Sequence, residues 1–203
     1  MYTYPYPHPS ITADCVVFGY DKHRLYVLLI RRKHPPCMDM WAFPGGFMNI
    51  DEDVESCARR ELLEETGLGV ARLYQFGVYS APDRDPRERV VSVAYYTLIP
   101  LCMVKGADDA AEARWFPVDD LPPLAFDHDR MLADSLRNMR LIVNVLPIIE
   151  GVIPSKFTMQ QLFDVYVSVS GVGMDINRLQ SRLVDMGVIE MLEEGLFCFK
   201  QNF

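Results

Sequence analysis

Hydrophobic and polar residues follow two different periods along this chain. Strand-like runs, with period-two or continuous apolar character, occur at residues 13–20, 25–30, 71–79, 90–99 and 113–116. Helical spacing is predicted from residue 53 to 67, where a glycine ends it, and again over 127–143. The first nine residues alternate tyrosine with proline and predict an extended arm. Strands interleaved with helices predict an α/β sandwich.

The pattern changes over residues 147–155, where two prolines and a glycine interrupt any long element. After this break, Thr158 and Gln161 form a capping-box pattern that opens a predicted helix. A second helix is predicted from Asp175 to about Gly187, and a hairpin follows it. This order is typical of a winged helix. We therefore predict two domains, residues 1–150 and residues 151–203.

Composition and charge narrow the class of protein. The chain has 203 residues, 50% of them hydrophobic, with 20 Lys+Arg and 28 Asp+Glu for a net charge of −8. This balance is typical of a folded globular protein. No apolar run approaches the ~20 residues of a membrane span, and the N-terminus lacks a signal core, so we expect a cytoplasmic protein without a membrane partner. The five cysteines form no CxxC pair and indicate neither a disulfide framework nor a zinc site.

Acidic residues are concentrated in one helix. Residues 51–65 carry seven acids and two bases, and Glu61, Glu64 and Glu65 fall within about 100° of one helix face. Their mutual repulsion would be relieved by a divalent cation, and oxygen ligands suit Mg²⁺ or Mn²⁺. Arg60 lies four residues before Glu64 and is placed to orient it. The alternatives are a solvated acidic face and an ordinary surface salt bridge.

The run GFMNIDEDVESCARRELLEETGL begins at Gly46 and contains these acids. It resembles the Nudix box, Gx5Ex7REUxEExGU with U hydrophobic, at every position. The resemblance implies a Nudix α/β/α sandwich with a mixed sheet, followed here by a small winged-helix-like domain. It also implies metal-dependent hydrolysis of a diphosphate linked to another moiety.

The same resemblance implies roles for individual residues. It assigns metal binding or catalysis to Arg60, Glu61, Glu64, Glu65 and the carbonyl of Gly46. Glu61 or Glu64 would take a proton from the attacking water, with Arg60 as a neighbour that orients the carboxylates. Members of the family place the base differently, so Asp109 and Glu112 are candidates for a later base. The alternative for both is a surface charge.

The substrate is indicated by residues outside the box. The stretches APDRDPRERVVSVAYYTL and PLAFDHDRM resemble a Nudix branch that acts on or binds ADP-ribose. This resemblance implies that Arg84 and Arg87 lie near the active-site mouth, and Arg32 is a further candidate for the diphosphate. A solvated loop is the alternative for the first two. Trp41 and Phe43 could face an adenine, but we expect them in the core.

A histidine in the second of these stretches, His128, has two possible roles. It lies in a suggestive setting for the site, Phe126-Asp127-His128. Alternatively it begins a helix that Asp127 caps. The residues alone leave both possibilities open.

Nearly the whole chain also resembles the Nudix-related transcriptional regulators, in which one domain senses an ADP-ribose-type ligand and the other helps bind DNA. The complete box favours an enzyme, and the second predicted helix offers DNA two arginines, Arg178 and Arg182, beside acidic neighbours. We therefore expect a metal-dependent hydrolase of a nucleoside diphosphate derivative, with ADP-ribose split to AMP and ribose 5-phosphate. The alternative is an ADP-ribose-sensing regulator. The resemblance also implies a homodimer.

Overall fold

The computed structural model describes residues 3, 5–21, 23–106, 110–143, 148–192 and 195–200. Within them the strands are β1 (Ser10–Asp21), β2 (Arg24–Arg32), β3 (Trp41–Ala42), β4 (Gly45–Phe47), β5 (Tyr74–Tyr79), β6 (Val90–Pro100), β7 (Ala110–Pro117), β8 (Phe157–Thr158), β9 (Ile189–Met191) and β10 (Leu196–Phe199). The helices are α1 (Val54–Thr66), α2 (His128–Ile142), α3 (Met159–Ser170) and α4 (Ile176–Asp185), with a 3-10 turn at Glu150–Val152. No helix among these residues has the length and apolar character needed to cross a membrane.

The larger sheet is mixed and is built around β1. Its strand order is β3-β2-β1-β6-β5, while β4 also pairs with β1 and β7 with β2. β1 and β6 run parallel, in register from Ser10 opposite Val90 to Tyr20 opposite Pro100. The other strand pairings in this sheet are antiparallel. The predicted mixed sheet is therefore confirmed.

Alternation along β1 gives the sheet two buried faces. One face packs against α1 and contains Ala13, Cys15, Val17, Cys57, Ala58 and Leu62. The opposite face packs under α2 and contains Val16, Phe18, Val27, Leu29, Met131 and Met139. Because successive strand side chains point to opposite faces, one apolar strand supplies both layers. The result is the predicted α/β/α sandwich.

The acidic helix α1 is bounded by local signals. The Asp53 carboxylate accepts a hydrogen bond of 2.8 Å from the Ser56 amide, which is the arrangement of an N-cap. Gly67 ends the helix with φ 73°, in the left-handed region that glycine adopts without strain. The packing of Cys57, Ala58 and Leu62 against the sheet then sets the rotation of the helix, and therefore which of its acids face the sheet.

The C-terminal part has the predicted winged-helix order, with one strand more than predicted. The capping box of Thr158 and Gln161 opens α3, and Asp175 caps α4. β8 pairs with β10, and β10 pairs with β9; β8 is two residues long and runs directly into α3, so it has no alternation from which to predict it. The hydrophobic cluster under α2 continues into α3, so both parts of the chain share packed side chains.

Candidate active site

A pocket of about 330 Å³ opens where the start of β1, the end of β2 and strand β4 meet helix α1. The loop at residues 84–87 and the first residues of α2 close its other side. The pocket is lined by Gly46 and two acids of the Nudix box, by the preceding Gly45, and by all three predicted substrate arginines. The fold thus assembles in one place residues that are separated by up to about a hundred positions in sequence.

Glu61 and Glu65 are the box carboxylates that line the pocket. Glu65 is 6% exposed, and the Gly45 amide donates to its Oε2 at 2.9 Å. Burial is the largest cause that raises the pKa of Glu65, to about 8. Burial also raises the pKa of Glu61. Two carboxylates that are both costly to ionise here would be stabilised by a cation.

Arg60 organises the acids on the outer side of the pocket. It donates to Glu52 at 2.6 Å, to Glu61 at 2.6 Å and to Glu64 at 3.1 Å. Its hydrogen bond to Glu52 is the largest cause that holds the pKa of the guanidinium above its usual value and lowers the pKa of Glu52 to about 2. The predicted contact with Glu64 is present, but the shorter contacts are to Glu52 and Glu61.

Glu64 lies outside the pocket lining, with 41% of its side chain exposed. Among the described residues, no three metal-ligating side chains converge on one point, because Arg60 holds Glu61 and Glu64 while Gly45 holds Glu65. The donor chemistry nevertheless fits a hard cation, since the neighbouring groups are carboxylate and carbonyl oxygens. A Cβ on Gly46 would lie 2.5 Å from the Glu61 carboxyl carbon, so glycine is needed for this close approach.

Arg32 and Arg87 bring positive charge to the same pocket. The Arg32 guanidinium lies 4.9 Å from the centre of the Phe126 ring, and the Arg87 guanidinium lies 5.0 Å from that of Phe47. Burial, followed by repulsion from Arg87, lowers the pKa of Arg32. Arg87 also donates to the Asp85 carboxylate at 2.7 and 3.0 Å. Two guanidinium groups that line one pocket are suited to bind an anion there.

Arg84 also lines the pocket, and its guanidinium is paired with Asp127 and buried, whereas Arg87 is 40% exposed. Arg84 makes two hydrogen bonds to the Asp127 carboxylate, of 2.8 and 3.1 Å, and its side chain is 5% exposed. Asp127 occupies the N-cap position of α2, as one of the two alternatives had it, but its side chain makes no cap bond. Its two oxygens accept from Arg84 instead. Arg84 therefore ties the loop at 84–87 to the start of α2.

Of the two candidates for a later base, Glu112 lies in the part of the chain that the structure describes. The register of β7 on β2 places Glu112 opposite Arg31, where Glu112 is exposed and outside the pocket lining. Asp109 lies outside the described residues.

Sequence reasoning did not identify two polar residues of the pocket wall, Thr12 and Asp14. Asp14 is buried, and the Ser92 hydroxyl donates a short hydrogen bond to its Oδ2. Thr12 lies two residues earlier on the same face of β1 and lines the same pocket. The available signal was an acid inside an otherwise apolar strand, which is costly unless it is paired or functional.

His128 both begins α2 and lines the pocket, so its two predicted roles are compatible. The Phe43 amide donates to its Nδ1 at 3.0 Å, and the Phe43 ring stacks on the imidazole at 4.9 Å. Burial lowers the pKa of His128. Phe43 is 2% exposed and belongs to the core, as expected; Trp41 packs edge-on against Phe116 beside that core.

Comparison with known proteins assigns the family. The NUDIX domain matches residues 8–135, which is more than half of the chain, so the chain belongs to the Nudix family. It is 41% identical over 132 residues to the ADP-ribose pyrophosphatase of Methanocaldococcus jannaschii, covering 65% of this chain and 76% of that protein. It is 30% identical over 203 residues to the ADPR responsive transcriptional repressor NtrR of Acinetobacter baylyi, covering 97% of this chain and 80% of that protein. Both predicted resemblances are confirmed.

Solved structures confirm the fold. A MutT/nudix family protein from Enterococcus faecalis superposes with a TM-score of 0.89 at 29% identity, over 98% of this chain and 90% of that one. NrtR from Shewanella oneidensis superposes with a TM-score of 0.76 at 23% identity, over 94% of each chain. The second likeness is one of fold alone. It extends beyond the NUDIX domain into the C-terminal part.

Proposed function

We propose that this protein is a metal-dependent Nudix hydrolase that cleaves ADP-ribose to AMP and ribose 5-phosphate. The observation that carries the proposal is one pocket lined by buried Glu65 and half-buried Glu61 of the complete box together with Arg32 and Arg87. Carboxylates and arginines that line one pocket suit a diphosphate held by a cation and two guanidinium groups. The similarity to the pyrophosphatase of Methanocaldococcus jannaschii supports ADP-ribose as the substrate.

Nudix hydrolases generally use a divalent metal. The proposed ligands here are Glu61, Glu65 and the Gly46 carbonyl, with Glu64 completing the set, and Mg²⁺ or Mn²⁺ is the proposed ion. The bound ion would neutralise diphosphate charge and make water more acidic. Because Arg60 now holds Glu61 and Glu64, its contacts with them must yield or be shared when an ion binds.

The chain's own residues have distinct proposed roles in the reaction. Water attacks one phosphorus, its proton passes to Glu61 or Glu64, and the bridging P–O bond breaks to release two phosphate monoesters. Arg60 orients these carboxylates through its contacts of 2.6 and 3.1 Å. Arg32 and Arg87 bind diphosphate oxygens, and Arg84 holds the loop that presents Arg87.

The proposal is tested by hydrolysis of ADP-ribose, NADH, diadenosine polyphosphates and nucleotide sugars with Mg²⁺ and then Mn²⁺. We expect ADP-ribose to be turned over, and expect Glu64→Gln and Glu65→Gln each to lower turnover by roughly 100-fold or more while the fold is retained. Glu55→Gln is the matched control, because Glu55 lies on the same helix with its side chain 51% exposed. Unchanged activity in both Glu64 and Glu65 variants would refute the site.

A second candidate function is an ADP-ribose-responsive regulator that binds DNA. It is favoured by the match to the Acinetobacter baylyi repressor, which spans 97% of this chain and includes the C-terminal part. On α4 the arginine available at the surface is Arg178, and Arg182 is half-buried. Gel shift with the protein's own upstream DNA at low salt, with and without ADP-ribose, tests this function. Absence of a shift at low salt would eliminate it.

We also propose a homodimer, on the basis of the family resemblance. Light scattering at several protein concentrations measures the mass directly. A mass near 23.3 kDa at all of them would contradict the proposal.

A further inference from the structure

On the face of strand β1 that packs under α2, two of the side chains are polar. Thr12 and Asp14 precede Val16 and Phe18 on the same face of the strand, since side chains alternate with a period of two. Val16 and Phe18 belong to the hydrophobic cluster under α2, whereas Thr12 and Asp14 line the active-site pocket. The sheet face thus changes from core to pocket wall between residues 14 and 16.

Thr12 is the unusual member of this pair. It is 7% exposed, and its Oγ1 has no hydrogen-bond partner within the described part of the chain. A buried hydroxyl without a partner destabilises the folded state, and such groups are uncommon in folded proteins. A ligand hydroxyl that enters the pocket would satisfy this oxygen.

Asp14 is fixed in place by its neighbours. The Ser92 hydroxyl donates to Oδ2, which orients the carboxylate and uses one of its two oxygens. The other oxygen, Oδ1, lies 3.8 Å from His128 Nε2, too far for a direct hydrogen bond. Asp14 therefore presents an acceptor to the pocket in a set orientation.

The chemistry of the two groups selects the ligand. A carboxylate accepts hydrogen bonds and repels phosphate, while a threonine hydroxyl both donates and accepts. Their Cα atoms are two strand residues apart, or about 6.6 Å. Neighbouring hydroxyls of one sugar ring can therefore reach both side chains with bonds of about 2.8 Å.

Strand register locates the subsite relative to the reacting phosphates. Ala13, between the two polar residues, is opposite Gly46 of the box, and Asp14 is opposite Gly45. We infer that Thr12 and Asp14 form a subsite that binds the hydroxyl groups of a sugar attached to the diphosphate. This inference rests on the proposed function and deepens it, because it names the residues that recognise the sugar.

The first test is Thr12→Val, which removes the hydroxyl and keeps the shape of the side chain. We expect it to weaken ADP-ribose binding by about 10-fold in calorimetry and to raise KM with little change in kcat. Because no described residue hydrogen-bonds to Oγ1, the Tm of the ligand-free variant should equal or exceed that of the wild type. Thr12→Ser should restore binding. Thr97→Val, in buried β6 away from the pocket, is the matched control and should leave affinity unchanged.

The second test removes hydroxyls from the ligand. We would compare ADP-ribose with its 2′-deoxyadenosine analogue and with an ADP ester of a plain alkyl alcohol, which lacks the distal sugar. We expect one of the two analogues to bind the wild type about 10-fold more weakly than ADP-ribose does. The same analogue should bind Thr12→Val with the same affinity as it binds the wild type. The ribose that this analogue lacks or alters is then the one that occupies the subsite. The inference would be overturned if the wild type and Thr12→Val bound ADP-ribose equally well. It would also be overturned if, for both analogues, the loss of affinity from the substitution multiplied the loss from the missing hydroxyls. Neither result would affect the proposed hydrolysis of ADP-ribose. If the wild type neither bound nor hydrolysed ADP-ribose, the proposed function itself would be refuted.

Discussion

Glu65 provides a quantitative test of the site, because its burial links stability to pH. In the folded protein without metal its pKa is raised from 4.5 to about 8, chiefly by burial. Each pKa unit corresponds to about 1.4 kcal/mol, so ionising this group costs the fold about 3 kcal/mol at pH 7 and at most about 5 kcal/mol. Since the folded pKa exceeds the unfolded one, the full stability is present below about pH 4.5 and falls as pH rises toward about 8. Glu65→Gln keeps the shape and an acceptor for the Gly45 amide but removes this penalty.

Urea denaturation in EDTA would measure the effect. The free energy of unfolding of Glu65→Gln minus that of the wild type should grow by roughly 2 to 3 kcal/mol between about pH 5.5 and about pH 7.5. Adding millimolar Mg²⁺ should stabilise the wild type increasingly at the higher pH, because the ion binds the charged carboxylate. The same addition should have much less effect on the variant.

Glu64→Gln is the control for this experiment, since the side chain of Glu64 is 41% exposed and water still solvates its charge. Its unfolding free energy in EDTA should follow the wild-type pH dependence. If the free energies of unfolding of the wild type and Glu65→Gln changed with pH in parallel, Glu65 would not be desolvated, and the burial argument would be refuted. If Mg²⁺ stabilised the wild type and Glu65→Gln equally, Glu65 would not be a ligand of the ion.

Two further substitutions test other parts of the pocket. Arg84→Ala should lower the free energy of unfolding by about 3 kcal/mol, since it leaves the Asp127 carboxylate unpaired, and an unchanged urea midpoint would contradict this. Gly46→Ala should reduce kcat/KM by roughly 100-fold because the added Cβ displaces the Glu61 carboxylate, whereas Gly69→Ala, which meets nothing within 4 Å, should leave kcat/KM unchanged.

The class of protein and the acidic helix were predictable because their signals are local. Asp53 and Gly67 lie at the two ends of α1, and the capping side chain and the glycine act within one helical turn of them. The same holds for α3, which Thr158 caps as predicted. The spacing of carboxylates on one helix face also predicted a cation site, and the resemblance of the whole run from Gly46 to the Nudix box identified the family.

The contacts made by the box were predicted less well. Helical spacing placed Arg60 beside Glu64, yet its shorter bonds are to Glu52 and Glu61. Glu52 lies in the loop before the helix, and periodicity does not determine how a loop folds back. The docking of β4 on β1 brings Gly46 against Glu61, which is a long-range event that helix geometry alone does not encode.

By itself, the sequence determined the family, the helix ends and which acids share a helix face. Tertiary structure alone decided that Thr12 and Asp14 stand in the same pocket as Glu65 and Arg87, because strand pairing and loop docking join segments that are far apart along the chain. A threonine or an aspartate inside an apolar strand has no local period that reveals its role. Whether such a residue meets core or ligand depends on what packs over that end of the sheet, and α2 covers Val16 but leaves the two polar residues facing the pocket.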